Sequence, residues 1–94
     1  MRVRWLRIAL ANLEHAAAYI AQDNPAAAGR FVQEIFRATT LLAKNPAMGR
    51  PGRVPGTREL VIPNTPYILP YRVRANSLEI LRVFHAARKW PNHF

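Results

Sequence analysis

The chain has no cysteine and only five acidic residues among its 94. Without cysteine there is no disulfide framework, no thiolate metal site and no cysteine nucleophile. Glycine is scarce, and no Lys-Ser or Lys-Thr pair follows Gly49 and Gly52, so no phosphate-cradling loop is present. His15, His85 and His93 show no metal-ligand spacing, and neither a metal nor a cofactor is expected. No apolar run approaches the roughly 18 residues of a membrane span. The basic start at Arg2, Arg4 and Arg7 precedes an apolar run cut by Asn12, Glu14 and His15, with no small-residue cleavage site. The expectation is a cytoplasmic protein with no membrane partner.

What the chain does have is arginine. Lys and Arg number 14, twelve of them arginine, and the formal charge is +9. Such a balance points to an anionic partner. Half the residues are hydrophobic, enough to fold. The length sets one domain, residues 1–94, burying roughly 60–65% of its unfolded surface.

Met1 to Trp5 alternates arginine with Val3 and Trp5, a strand pattern with one wet face. From Leu6 the period lengthens. Leu6, Leu10, Leu13, Ala17 and Ile20 mark a helix that fades near Gln22-Asp23. Asn24-Pro25 is a start signal, with Asn24 as N-cap and Pro25 in the first turn. Ala28, Phe31, Val32, Ile35, Thr39 and Leu42 stripe the second helix, which Asn45-Pro46 stops after Lys44. Residues 45–56, rich in Pro and Gly, read as a loop carrying Arg50 and Arg53.

Three strands follow, over 57–62, 67–74 and 78–85, separated by turns at Pro63-Asn64-Thr65-Pro66 and Ala75-Asn76-Ser77. Tyr67, Leu69, Tyr71 and Val73 share one strand face, and their spacing fits a core better than a base-stacking platform. Pro70 cannot donate a ladder hydrogen bond, so it belongs at a bulge or an unpaired position. On the last strand, plain alternation groups Leu78, Ile80, Arg82 and Phe84. The predicted fold class is α+β: a strand, an αα-hairpin and a three-stranded antiparallel meander, the helices packed on one sheet face. Arginine is left to the other face and the loops. From Arg50 onward there are eight basic residues and two acidic ones, which places six of the nine net charges in that half.

Gly49-Arg50-Pro51, Gly56-Thr57-Arg58-Glu59-Leu60-Val61-Ile62, Pro66-Tyr67-Ile68-Leu69-Pro70-Tyr71-Arg72-Val73 and the run Leu78 to Pro91, in this order, resemble the RelE/ParE toxins of bacterial toxin–antitoxin systems. Tyr19-Ile20-Ala21 before Asn24-Pro25 fits as well. The resemblance implies a small toxin neutralised by a cognate antitoxin in a hetero-oligomer. That antitoxin would carry a ribbon-helix-helix DNA-binding half and an acidic toxin-binding tail.

Two branches of the family act differently. RelE-like members cut messenger RNA on the ribosome, whereas ParE-like members poison DNA gyrase. Metal-free RNA cleavage needs an acid, a base and a cation beside the phosphorane. The resemblance offers His85 for proton transfer, with Arg58 and Arg88 on phosphate. The position where mRNA-cutting members carry a middle-strand arginine is Ile68 here. The chain therefore looks more like the ParE branch, for which no catalytic residue is required. Target-binding candidates are Arg50, Arg53, Arg58, Arg82, Arg88 and Trp90. Each has a plainer reading: His85 packs at a strand end and bonds the tail, Arg82 pairs with Glu59 or Glu79, and Trp90 caps the core.

Overall fold

The computed structural model describes all 94 residues. The order is β1 (Arg2–Trp5), α1 (Arg7–Asp23), α2 (Pro25–Lys44), β2 (Arg50–Pro51), β3 (Arg58–Val61), β4 (Tyr67–Arg74), β5 (Ser77–Ile80) and β6 (Phe84–His85). The strands form one mixed sheet in the order β1-β5-β4-β3-β2, with β6 also paired to β4. This is the expected α+β class, with three differences in detail.

First, one residue of the α1 stripe departs: Leu13 is buried and Leu6, Ala17 and Ile20 pack against the core, but Leu10 does not. Ala9, Leu13 and Ala16 are its buried residues, while Leu10 is 41% exposed. Alanines let the helix sit close, and the larger Leu10 turns outward. The α2 stripe holds, and the Asn24 side chain accepts the Ala27 N–H at 3.0 Å. Second, the loop read over 45–56 contains the short strand β2, whose Arg50 and Pro51 pair antiparallel with Glu59 and Arg58.

Third, the last strand is broken. Ile80 pairs with Tyr71, and Phe84 pairs with Ile68. Three residues, Leu81 to Val83, therefore face two, Leu69 and Pro70. One extra residue in an antiparallel pair is a β-bulge. Pro70 sits opposite it, as its missing N–H requires, and its carbonyl accepts the Leu81 N–H at 2.9 Å. The bulge reverses the facing of everything after it. Val83 joins the main core, and Phe84 turns to the opposite face.

The main core lies between the helical hairpin and the sheet, around Ile35, Leu42, Leu69, Tyr71, Leu78 and Ile80, all fully buried. At the turn between β4 and β5, Ala75 and Asn76 take positive φ of 50° and 63°. Two such residues between paired Arg74 and Ser77 make the type I′ turn that suits strand twist. Opposite the helices, the face is not bare arginine. Ile68, Pro70, Leu81 and Phe84 are buried there too. Phe84 lies edge-on to Trp90 at 5.1 Å and near Phe94 at 6.1 Å, so the C-terminal tail covers that face.

Candidate functional site

The outer face is built around two buried carboxylates. Directly opposite residues share a face. Arg4, Glu79 and Arg72 are cross-strand neighbours on β1, β5 and β4. Arg72 Nε donates to Glu79 Oε1 at 2.7 Å, and Arg4 stands 3.8 Å from the other oxygen. The hydrogen bond and charge of Arg72 hold the Glu79 carboxyl below the usual range, against the opposing effect of burial.

Glu59 does similar work at the other edge. Arg50 donates to its Oε1 through Nε and Nη2 at 3.2 and 3.1 Å. The Arg53 backbone N–H donates to Oε2 at 2.7 Å. Glu59 thus holds both arginines of the loop. The Arg53 guanidinium lies 4.0 Å over the Trp90 ring, and that of Arg88 lies 4.4 Å over Phe84. Arg82 is 5.0 Å over Phe94 and donates to the Leu81 carbonyl at 2.6 Å.

Five of the six target-binding candidates therefore gather on one surface: Arg50, Arg53, Arg82, Arg88 and Trp90. The pairing of Arg82 with Glu59 or Glu79 does not occur. The bulge carries Arg82 out of register with both, and Arg72 and Arg50 take those carboxylates instead. Arg58 departs from the group. It pairs with Tyr71, so it lies on the helix side, where its Nη1 donates to the Gly49 carbonyl at 2.8 Å. It ties down the chain entering β2.

His85 is exposed at the far end of β6. Its Nδ1 accepts the Ala87 N–H at 3.1 Å, and its ring meets Tyr67 edge-on at 5.5 Å. It also lines a cavity of about 520 Å³ with Tyr19, Arg30 and Tyr67. His85 and Arg58 sit on opposite flanks of β4, beside Tyr67 and Tyr71. Four residues of strand separate them by about 13 Å lengthwise, and two strand spacings add about 10 Å across. Arg88 lies over Phe84, on the opposite face from both. The three do not converge on one reacting atom. No group of three His, Cys, Asp or Glu side chains is placed to hold a metal ion, and no helix is long and apolar enough to cross a membrane.

Sequence reasoning missed Glu59 and Glu79 as organising carboxylates, although two acids among so many arginines on paired strands were a usable signal. It also missed Phe94 as a part of this surface.

Comparison with known proteins agrees with this architecture. Residues 3–90 match the model of the ParE toxin of the type II toxin–antitoxin system parDE. Toxin Y4kP of Sinorhizobium fredii is 50% identical over 90 residues, covering 96% of this chain and 93% of that protein. Toxin RelE2 of Caulobacter vibrioides is 36% identical over 87 residues, with 93% and 97% covered. A solved chain from the chromosomal ParDE toxin–antitoxin system of P. aeruginosa superposes with a TM-score of 0.81 at 32% identity, covering 90% of this chain and 95% of that one. The folded core, its arginine-bearing outer face and these matches together make this chain a member of the ParE toxin family of type II toxin–antitoxin systems.

Proposed function

We propose that this toxin arrests growth in the cytoplasm by binding DNA gyrase and trapping it on broken DNA, not by cutting RNA. The observation that carries this reading is the dispersal of His85, Arg58 and Arg88. A metal-free nuclease needs its proton carrier and cations around one phosphate. Here Arg58 is committed to backbone carbonyls and Arg88 to a ring on the other face. What the chain does gather is a broad cationic and aromatic surface, suited to macromolecular contact. The antitoxin in this reading has a ribbon-helix-helix half and an acidic tail, and the +9 charge speeds its capture.

The test is a plasmid assay with purified gyrase and antitoxin-free toxin. Linear DNA should accumulate with toxin once gyrase is denatured. His85→Ala should poison gyrase as well as the parent does. The reading fails if gyrase is untouched, growth still stops, and His85→Ala abolishes that arrest. A ribosome-dependent RNase would then take its place.

A further inference from the structure

Where the bulge meets the first turn of α1, the molecule gathers cations that have no carboxylate. Arg82, Arg88 and Lys89 line a cavity of about 500 Å³ together with Ile8, Asn12 and Trp90. None of these three cations enters any of the five ion pairs. The one side-chain oxygen that Asn12 offers is already taken by the Val83 N–H at 3.2 Å. Trp90 Nε1 is buried and has no hydrogen-bond partner, the only such side-chain atom in the chain. Ile8 belongs to the first turn of α1, whose N-cap Leu6 supplies no side-chain acceptor and whose first turn holds no acidic residue. The positive end of a 17-residue helix therefore borders the same space. Burial, and then the Arg88 charge, draw the Arg82 pKa down, as an unpaired pair of cations requires.

We infer that this cavity is an oxyanion site that takes phosphate, either as free phosphate or in a nucleic-acid backbone. Buried native donors are rarely left unpaired, so an orphan indole N–H beside three cations without a carboxylate calls for an acceptor from outside the chain. Elsewhere in this protein two arginines share each buried carboxylate. Here three cations share none. A lone carboxylate would leave two charges uncompensated, whereas a phosphate dianion or two successive phosphodiesters leaves one. The site is separate from His85 and Arg58, neither of which lines it. It stands whichever target the toxin has.

The test follows the two indole N–H resonances of the labelled, antitoxin-free full chain during titration with inorganic phosphate at constant ionic strength. Trp90 should shift and saturate while Trp5, on β1, stays still. Lys89→Gln, which removes a side chain with no internal bond, should weaken phosphate binding about tenfold, the worth of one charge-assisted hydrogen bond. Arg88→Gln should weaken it at least as much. A single-stranded oligonucleotide that displaces phosphate identifies the backbone as the source, and failure to displace it identifies free phosphate. The inference is overturned if Trp90 does not respond, if Lys89→Gln binds as tightly as the parent, or if acetate or an acidic peptide moves Trp90 as far as phosphate does.

Discussion

Replacing Tyr71 by phenylalanine removes one oxygen and should cost this fold a large share of its stability. The Tyr71 ring is fully buried in the main core. Its hydroxyl donates to the Pro46 carbonyl at 2.7 Å and accepts the Gly49 N–H at 2.9 Å. Gly49 is itself buried, and a Cβ there would lie 2.6 Å from that hydroxyl. No other residue fits so close, which is why the chain turns into β2 at a glycine. Tyr71→Phe keeps the ring and strands both backbone groups. An unsatisfied buried donor or acceptor costs about 1–3 kcal/mol, and the Pro46 carbonyl regains some water, so the loss should be about 2–4 kcal/mol. Domains of this size have about 5–14 kcal/mol in total. The control is Tyr67→Phe, since the Tyr67 hydroxyl makes no hydrogen bond within the chain, and it should cost under about 0.5 kcal/mol. Urea unfolding followed by tryptophan fluorescence measures both, with equal m-values expected. Gly49 amide exchange should quicken in Tyr71→Phe alone. Equal losses in the two variants, or a Tyr71→Phe loss under about 1 kcal/mol, would refute the reasoning.

Two further outcomes follow from the same contacts. Glu79 has a carboxyl pKa lowered from 4.5 by Arg72, so it contributes stability above that value and loses it as pH falls through the folded-state value. In Glu79→Gln, the part of the acid-induced fall in urea midpoint that belongs to this group should vanish, leaving a flatter profile below pH 4.5. Ala75, held at φ 50° in the type I′ turn, pays the left-handed penalty of about 1–2 kcal/mol. Ala75→Gly should therefore gain about 0.5 kcal/mol net of glycine's added chain entropy, seen as a rise in thermal midpoint.

Much of the fold was legible because local signals agreed with the tertiary outcome. Asn24-Pro25 set a helix start that the side-chain cap then made. Tyr67, Leu69 and Tyr71 lie in the main core as their alternation implied, whereas Val73 on the same strand face is 48% exposed. The α1 stripe held except at Leu10, and it left out Ala9 and Ala16, since close approach favours small residues that hydropathy counts weigh little. The parallel pairing of β1 with β5 brings Arg2 beside Ser77 across the whole chain, and no local pattern encodes such a non-local partner. Among the site candidates, residue type was informative and position was not. Arginines at 53, 82 and 88 could be named as surface cations. Their stacking on Trp90, Phe94 and Phe84 depends on where the tail lands.

That landing depends on one residue of register. Pro70 has no N–H, so the strand beside it can leave the ladder there without forfeiting a bond it would otherwise make. The chain uses the opening to insert an extra residue between Ile80 and Phe84. Without the insertion, Phe84 would continue the face of Leu78 and Ile80 and point into the main core. With it, Phe84 emerges on the opposite face and gives Trp90, Arg88 and Phe94 a ring to pack against. The same step places Arg82 beside the start of α1, out of reach of Glu59 and Glu79. Pro70 was recognisable in the sequence as a bulge site. Carried two residues further, that reading reverses the facing of Phe84 and Arg82. The tail-covered face and its unpaired cations then follow from the proline, with no motif of their own.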